Sequence, residues 1–461
     1  MRKPKYVPEY DAGFRPCAVE IDDYLSRAAE SGKTADLVIS IERNDNCVSV
    51  YRTHIFAEDH EEENCFIIER MVKTLLWIKG GWKITVGGPG YIGRYIADAY
   101  SPGGIRDFDR NVMEKIYERR FAVETVQSCQ IRENMESVQR VGRHLNGCRI
   151  GFDAGGSDRK VSAVIDGEPV YSEEVIWHPK VNPDPSYHYN GILESFRTAA
   201  SKMPRVDAIG VSAAGVYINN KAMIASLFMA VPDDVYEEKV RNIFIEAAKE
   251  IGDVPLSVAN DGDVTALAGA MELNEGRVLG IAMGTSQAGG YVDINGNITG
   301  WLNELAFVPV DLNIDSMIDE WSGDYGCGVK YFSQDGVIKL AEKAGIVFKE
   351  GDTPARKLKN VQELHEKGNE AAKKIFASIG IYLGYSLAWY SRFYDIKHLL
   401  ILGRVTSGKG GEHIIEYAEK VLRDEFPDLF RNCSIHMPDE AGRRVGQSIA
   451  AASLPDVIRH L

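Results

Sequence analysis

Residues 150–167 read Ile-Gly-Phe-Asp-Ala-Gly-Gly-Ser-Asp-Arg-Lys-Val-Ser-Ala-Val-Ile-Asp-Gly, and this stretch gives the first indication of the fold. An apolar run ends at Asp153, the chain turns on Gly155 and Gly156, and an alternating strand follows. Two strands joined by a two-glycine turn predict a hairpin whose backbone N–H groups can approach phosphate oxygens. The Ser157 hydroxyl can add a donor, and the Asp153 carboxylate can hold Mg²⁺ through water. A plain surface hairpin has the same pattern, so the rest of the chain must decide between the two interpretations.

A second glycine turn repeats this design further along the chain. An apolar run that begins at Leu279 leads into Gly284 and Thr285, and the alternating strand Tyr291–Ile294 follows. One such turn can arise by chance, but two turns that combine glycine with hydroxyl side chains indicate two phosphate-binding hairpins. We expect one hairpin in each of two lobes that face a shared cleft.

The segment between the two turns carries a pair of polar residues at a strand end. The order of residues 258–264, Val-Ala-Asn-Asp-Gly-Asp-Val, is typical of a strand that ends at Asn260 and Asp261 before a helix. Asp261 can be a simple capping carboxylate at the helix N-terminus. It can also be a general base for a substrate hydroxyl, a role that contributes about 10²–10⁴-fold in rate. Because phosphate turns lie on both sides of it in the sequence, we favour the base and assign the capping charge to Asp263.

A third glycine loop lies near the C-terminus. The apolar residues 399–402 enter Gly403, and a loop with hydroxyl side chains continues to Gly408. Such a loop can hold a nucleobase and ribose against its backbone, and it can equally be a strand-to-helix turn.

Composition and charge restrict the class of protein. A chain of 461 residues predicts two to four domains. The apolar content of 44% and the charged content of 26% are ordinary for a globular protein, and a net charge of −14 argues against nucleic acid as a partner. The sequence has neither an 18-residue apolar run nor a signal peptide, so we expect a cytoplasmic protein with no membrane partner. Seven scattered cysteines without CxxC spacing predict reduced thiols and no zinc site.

Local sequence patterns predict a different order of helices and strands before and after Cys148. Before Cys148 we expect a hairpin over Asp36–Phe56, a helix over Phe66–Ile78 and a charged helical region over Asp107–Gln139. After Cys148, strands and helices alternate, which predicts mixed α/β layers. The order hairpin, helix, strand, glycine turn occurs near 37–90 and again near 150–215. The N-terminal region is therefore either a degenerate duplicate of the later lobe or a free-standing α+β accessory domain.

Taken in order, the motifs over residues 148–461 resemble the sugar kinases of the repressor–open reading frame–kinase (ROK) family. That family belongs to the actin-like ATPase superfamily. The motifs that carry the resemblance are Asp153-Ala-Gly-Gly-Ser157, Gly210-Val-Ser-Ala-Ala-Gly215, Asn260-Asp261, Gly284-Thr285 and Leu402-Gly403. The resemblance implies an α/β fold with two RNase H-like lobes around a cleft. We therefore expect an N-terminal α+β accessory domain over 1–146, a first kinase lobe over 147–270 and a second lobe over 271–461, with the C-terminal helix as a candidate to return to the first lobe.

The resemblance also implies roles for individual residues. Asp153 would order Mg²⁺, and Asp261 would be the general base. The residues implied in phosphate binding are Gly155, Gly156, Ser157, Gly284 and Thr285, with Gly403 near adenosine. The residues implied in substrate binding are Asn260, Glu304, Ala214 and Gly215.

The chain departs from the family pattern at several positions. Phe307 stands where the family has a zinc-binding histidine, and Cys327 is the one cysteine left in the region of the zinc loop. Since zinc needs about four ligands, we expect a zinc-free protein. Two residues, Asp158 and Arg159, follow the first phosphate turn in addition to the usual pattern, and Arg404 replaces a second glycine of the nucleoside loop.

These observations together predict an ATP- and Mg²⁺-dependent sugar kinase of glucokinase type, with a hexose as the acceptor. One alternative is a non-catalytic sensor of sugar or nucleotide on the same fold. Another is a kinase of an amino sugar or a different alcohol. The expected partners are small molecules, the sugar and ATP, and a homodimer is the candidate assembly.

Overall fold

The strands and helices follow one another in mixed order along the chain. The structure is a computed structural model that describes residues 2–136, 141–438 and 440–457. Its strands are β1 (Thr34–Glu42), β2 (Val48–Phe56), β3 (Lys83–Gly87), β4 (Ala122–Val126), β5 (Cys148–Ala154), β6 (Asp158–Ile165), β7 (Glu168–Ile176), β8 (Ala208–Ala213), β9 (Val216–Ile218), β10 (Lys221–Ile224), β11 (Leu256–Asn260), β12 (Val278–Met283), β13 (Gln287–Val292), β14 (His398–Leu402) and β15 (Ser434–His436).

Helices separate these strands. They are α1 (Cys17–Glu30), α2 (Glu61–Lys79), α3 (Gly90–Ala99), α4 (Asp107–Tyr117), α5 (Pro185–Ala200), α6 (Asp233–Val235), α7 (Ile243–Lys249), α8 (Asp261–Leu273), α9 (Gln334–Lys343), α10 (Pro354–Glu366), α11 (Glu370–Tyr390), α12 (Lys409–Glu425), α13 (Pro427–Asn432) and α14 (Glu440–Ala452). Within the described ranges, none of these helices has the length and apolar character needed to cross a membrane.

The residues of the chain form two compact units. The first unit comprises Met1–Ser137, Ile281–Gly289 and Trp301–Met437, and the second comprises Val138–Gly280, Gly290–Gly300 and Pro438–Leu461. The N-terminal segment thus belongs to the same unit as residues 301–437. The division at 146 and 270 into an accessory domain and two lobes stays a prediction.

The second unit is built on a mixed five-stranded sheet in the order β11-β8-β5-β6-β7. β5, β8 and β11 are parallel neighbours, whereas β6 and β7 are antiparallel to their neighbours. Buried apolar residues of β5, β8, α5 and α7 form its core, among them Phe152, Phe196 and Phe244. The predicted α/β class is confirmed.

Two glycines let the C-terminal helix α14 lie directly on this sheet. A Cβ on Gly151 would overlap the carbonyl oxygen of Ser448, and a Cβ on Gly210 would overlap that of Ala451. The helix backbone therefore contacts β5 and β8 without side chains between them. The buried Arg149 guanidinium donates to the carbonyl oxygens of Ala452 and Pro455 just beyond, over 3.3 and 2.8 Å.

The first unit contains the N-terminal sheet, in the order β2-β1-β3-β4. The hairpin expected over 36–56 is present as β1 and β2, but the helical region expected over 107–139 ends at Tyr117. Glu118 has a left-handed φ of 53°, which ends the helix, and β4 then pairs in parallel with β3. Because β3 is antiparallel to β1 whereas β8 is parallel to β5, the strand arrangement gives the duplication hypothesis no support.

A further four-stranded sheet has the order β13-β12-β14-β15. It carries the second and third glycine loops at the ends of β12 and β14. The long, almost entirely buried helix α11 lies in the first unit and packs against α12, α1 and α9.

Candidate functional site

Three parallel strands of the second unit end side by side. In the strand register Asp153 of β5 is opposite Ser212 of β8, and Ala213 is opposite Asn260 of β11. Carboxyl ends of adjacent parallel strands share one edge of a sheet, where α/β proteins bind ligands. The topology therefore gathers at one edge two of the sequence segments predicted to carry chemistry, 153–157 and 260–261.

Asp153 is a buried carboxylate held by hydrogen bonds. Its side chain receives a 3.0 Å hydrogen bond from Ser212 Oγ, and Lys160 Nζ lies 3.9 Å from its Oδ2. Burial raises the pKa of Asp153 to about 6, against the lowering effects of Lys160 and Ser212, while the charges of Asp261 and Asp158 raise it further. The carboxylate thus lies in a position where negative charge is not fully compensated by the protein.

Asp261 begins helix α8 and its Oδ1 accepts the Gly262 N–H over 3.0 Å, but the role of N-cap falls to its neighbour. That role belongs to Asn260, whose Oδ1 accepts the Gly262 N–H over 2.7 Å and whose Nδ2 donates to the Gly215 carbonyl oxygen over 2.8 Å. Burial raises the pKa of Asp261, opposed by backbone N–H groups and by the charge of Lys180. Both side chains therefore accept the Gly262 N–H, and the role of Asp261 as a general base stays a prediction.

Asp263 has a different environment from Asp261. It is 5% exposed, and its Oδ1 accepts the backbone N–H of Tyr291 over 3.0 Å. Its carboxylate holds β13 to α8 within the second unit, which is a structural role.

The first glycine turn consists of Gly155, Gly156 and Ser157, between β5 and β6. Trp177 fixes it from the side, because Trp177 Nε1 donates to the Gly155 carbonyl oxygen over 2.7 Å and Trp177 N donates to the Ser157 carbonyl oxygen over 3.1 Å. Gly156 and Ser157 are exposed. The turn is therefore rigid and open to solvent, as a phosphate-binding turn requires.

The two extra residues after this turn lengthen the hairpin and leave the turn itself short. Asp158 pairs with Ile176, and Arg159 pairs with both Ala154 and Val175 in the strand ladders. Both are the first residues of β6. The departure from the family pattern at 158–159 is thus absorbed by regular strand pairing.

Two lysines that were not assigned to the site from the sequence also lie at it. Lys160 is opposite Asp153 in the register, so both side chains lie on one face, and its Nζ pairs with Asp158 over 2.8 Å. Lys180 lies over the glycine turn, since a Cβ on Gly156 would be 3.3 Å from Lys180 Nζ. The alternation of β6 could have identified Lys160, but no local pattern points to Lys180.

Ala214 and Gly215 lie at the same edge, directly after β8. Gly215 has a φ of 136°, and a Cβ there would lie 2.6 Å from the Ile224 carbonyl oxygen. Glycine is required for this close approach. The turn places the Gly215 carbonyl oxygen against Asn260, so these predicted substrate residues are brought together.

The remaining predicted residues belong to the first unit. Gly284 begins the turn after β12, donates to the Ser286 carbonyl oxygen over 2.9 Å and accepts the Gln334 N–H over 2.8 Å. Thr285 is exposed beside it. Gly403 has a φ of 101°, and a Cβ there would overlap the carbonyl oxygen of Met283. The second and third glycine loops are therefore adjacent.

Glu304 also lies in the first unit, in a loop held by the end of helix α2. Its backbone N–H donates to the Trp77 carbonyl oxygen over 3.0 Å, and the Asn303 N–H donates to the Ile78 carbonyl oxygen over 3.0 Å. Phe307 packs on Trp77 with ring centroids 4.3 Å apart. The residue at the family's zinc-histidine position thus makes an aromatic contact to the N-terminal segment.

A buried ionic cluster surrounds the loop that contains Cys327. Asp324 pairs with Arg70, Lys73 and Arg106 over 3.0, 2.6 and 2.9 Å, and all four side chains are nearly inaccessible to solvent. Cys327 is buried nearby, and burial raises its thiol pKa to about 12. Across residues 2–136, 141–438 and 440–457, no group of three or more His, Cys, Asp or Glu side chains is arranged to hold a metal ion.

Comparison with known proteins identifies the fold. No protein-family model matches the sequence, and no curated protein matches it either. Among solved structures, the ROK hexokinase from Thermus thermophilus superposes with a TM-score of 0.51 at 18% identity, covering 66% of this chain and 97% of that chain. A ROK family transcriptional regulator, a homologue of the E. coli MLC protein, gives a TM-score of 0.51 at 16% identity, covering 79% of this chain and 88% of that chain. The chain has the fold of ROK proteins, as the sequence motifs predict.

Proposed function

We propose that this protein is an ATP-dependent sugar kinase in which Asp261 is the general base. The observation that carries the proposal is the shared sheet edge of the second unit, where Asp153, the 155–157 turn and Asp261 meet. A phosphate turn, a carboxylate that can hold a metal ion and a second carboxylate that can take a proton suit phosphoryl transfer to a hydroxyl.

The chemistry is a direct transfer between two oxygens. The acceptor hydroxyl oxygen attacks the γ-phosphorus of ATP, an O–P bond forms, and the bond from the γ-phosphorus to the bridging oxygen breaks. ADP leaves with the electron pair of that bond, and Asp261 takes the hydroxyl proton. The raised pKa of Asp261 supports this role, because a base whose pKa lies closer to the operating pH transfers protons more efficiently.

Asp153 fits a magnesium ion. Mg²⁺ binds to proteins through one or two carboxylates and retains several waters. The pKa of Asp153 is raised by burial and by the charges of Asp261 and Asp158, so a divalent cation would relieve an existing excess of negative charge. Bound there together with ATP, Mg²⁺ would neutralise charge on the phosphates.

ATP would be held by the glycine loops. Gly155, Gly156 and Ser157 offer an exposed, rigid turn for phosphate oxygens. Gly284 and Thr285 are proposed as the second phosphate turn, and Gly403 as the residue near adenosine. The tight approach of Gly403 to Met283 supports a role for that loop in presenting backbone to a ligand.

A hexose, with glucose as the first candidate, is the proposed acceptor. Asn260 uses one amide N–H for Gly215 and its oxygen for Gly262, so its second N–H can donate to a sugar hydroxyl. Ala214, Gly215 and Glu304 are proposed as further sugar contacts. A cytoplasmic location and a homodimeric assembly stay predictions, as does the absence of zinc and of nucleic-acid or membrane partners.

The fold alone does not distinguish a kinase from a sensor, since a hexokinase and a transcriptional regulator share it. A sensor would need to bind sugar or nucleotide but would not need a general base. A carboxylate whose pKa is raised by burial and by a neighbouring charge, as at Asp153, costs stability, and catalysis gives a reason for that cost.

The test is a panel of acceptors incubated with ATP and Mg²⁺. The panel contains neutral hexoses, amino sugars and non-sugar alcohols, with ADP release and a phosphomonoester signal in ³¹P NMR as readouts. The proposal expects both signals with at least one sugar. Binding of sugar or nucleotide by calorimetry without any phosphomonoester would instead support the sensor.

A further inference from the structure

We propose that Lys180 contacts the phosphoryl group during its transfer and is a catalytic residue of this protein. The inference rests on the proposed kinase function and extends it to a residue outside the glycine motifs. It follows from where Lys180 is held, what its ammonium group contacts and what it leaves free.

The position of Lys180 is fixed by the glycine turn itself. It lies in the single helical turn Pro179–Val181 that follows β7. Three residues earlier, Trp177 donates to the carbonyl oxygens of Gly155 and Ser157, over 2.7 and 3.1 Å. His188 Nε2 contacts the Pro179 carbonyl oxygen at 3.0 Å, which anchors the other side of the segment. The hydrogen bonds of Trp177 therefore hold the segment that carries Lys180 next to the glycine turn.

The end of the Lys180 side chain lies against the turn. A Cβ on Gly156 would be 3.0 Å from Lys180 Cε and 3.3 Å from Nζ. Glycine at 156 therefore leaves room for this side chain. The field of Lys180 also reaches Asp261, where it opposes the burial that raises the pKa of that carboxylate.

Lys180 differs from Lys160 in having its charge available. Lys160 is paired with Asp158 over 2.8 Å, whereas Lys180 is exposed and has no hydrogen-bond or ion-pair partner among the described residues. An ammonium group beside a phosphate turn can neutralise the negative charge that spreads over the transferred phosphoryl oxygens. The three rotatable N–H donors of lysine suit this task.

The experiment compares Lys180→Gln and Lys180→Arg with Lys249→Gln. Lys249 is an exposed lysine at the end of α7 in the same unit and is the matched control. Two quantities are measured in the full chain with Mg²⁺. The first is the kcat for the sugar found active, and the second is the affinity for a non-hydrolysable ATP analogue relative to ADP, by calorimetry.

The proposal expects Lys180→Gln to lower kcat by about 10²-fold, the typical cost of one charge-stabilising donor. The KM for the sugar should stay within about threefold of the wild-type value, and the preference for the ATP analogue over ADP should fall about tenfold. Lys180→Arg should recover part of both losses because it keeps the charge, and Lys249→Gln should match the wild type.

Each other outcome has a definite meaning. If Lys180→Gln changes neither kcat nor the nucleotide preference, Lys180 does not contact the phosphoryl group. Suppose that the wild type phosphorylates no acceptor but prefers the ATP analogue to ADP, and that Lys180→Gln lacks this preference. The kinase function then fails, and with it the catalytic role of Lys180, while the contact between Lys180 and the phosphate stands. A wild type that binds ATP analogue and ADP equally well would overturn the contact.

Discussion

Ser212 Oγ donates a hydrogen bond to Asp153 Oδ1 over 3.0 Å, and Gln447 Nε2 donates in turn to Ser212 Oγ over 3.1 Å. The carboxylate proposed to hold magnesium is therefore oriented by the adjacent strand and, through it, by the C-terminal helix. A hydrogen bond to the ionised form stabilises the charge of Asp153 against its burial.

Replacing Ser212 by alanine should raise the pKa of Asp153 further. A hydrogen bond to a charged group contributes enough to shift the pKa by about one unit. The acidic limb of the pH dependence of kcat/KM should move upward by that amount. Ser162→Ala is the matched control, because Ser162 lies in the same sheet and bonds Ser172 of β7 and Ser448 of α14. Identical pH profiles for wild type and Ser212→Ala would show that this hydroxyl does not act on Asp153.

Asp153→Asn should lower the activity and raise the free energy of unfolding near neutral pH. Because the folded pKa of Asp153 is raised from 3.8 to about 6, the native state binds the extra proton, and stability falls as pH rises through that window. Near neutral pH the amide should therefore raise the free energy of unfolding by roughly 1–3 kcal/mol, a gain that disappears in acid below both pKa values. Urea unfolding at several pH values measures this. Equal or lower stability of Asp153→Asn at neutral pH would contradict the prediction.

Gly403→Ala should disrupt the loop proposed to bind adenosine. The new methyl group would overlap the Met283 carbonyl oxygen at a φ of 101°, so stability should fall by more than the roughly 1 kcal/mol expected from backbone strain alone. Gly345→Ala separates the two effects, because Gly345 has a φ of 77° with open space around it. Thermal unfolding and ATP-analogue affinity are the measurements, and equal losses in the two variants would exclude the close approach as the cause.

Asp324→Asn should destabilise the first unit. It leaves Arg70, Lys73 and Arg106 without their shared buried counter-ion, and breaking a buried pair costs about 3–5 kcal/mol. Glu320→Gln is the control, since Glu320 pairs with Lys330 but is 70% exposed. Chemical denaturation measures both, and a loss for Asp324→Asn no larger than for Glu320→Gln would mean that the cluster does not hold this unit together.

The local sequence pattern predicted the strands that pair with a strand close by in the sequence. The alternation over 36–56 gave the β1–β2 hairpin, and the glycines at 155 and 156 gave the turn between β5 and β6. The helix expected over 107–139 was wrong from Glu118 to residue 136, and residues 137–139 lie outside the described part of the chain. The left-handed Glu118 ends the helix, and β4 then pairs with β3 in a long-range contact that no local periodicity records.

Features of the candidate sites that depend on long-range contacts could not be predicted from the sequence. Arg70 and Asp324 are 254 residues apart in the sequence, yet their ion pair helps to join the N-terminal segment to residues 301–437. Lys180 reaches the phosphate turn only because Trp177 bonds that turn. The motif residues at 153–157 and 260–261 were predictable because each closes a strand, and parallel strands bring their ends together.

The most direct test of the account is the turnover of Asp261→Asn with ATP, Mg²⁺ and the active sugar. The amide keeps the shape of the side chain but cannot take a proton, so kcat should fall by about 10²–10⁴-fold while the protein stays folded and binds nucleotide. Asp263→Ala, two residues along the same helix, removes the acceptor of the Tyr291 N–H and should cost stability instead of turnover. A kcat for Asp261→Asn within about threefold of the wild-type value would contradict the assignment of Asp261 as the base, and with it the proposed mechanism.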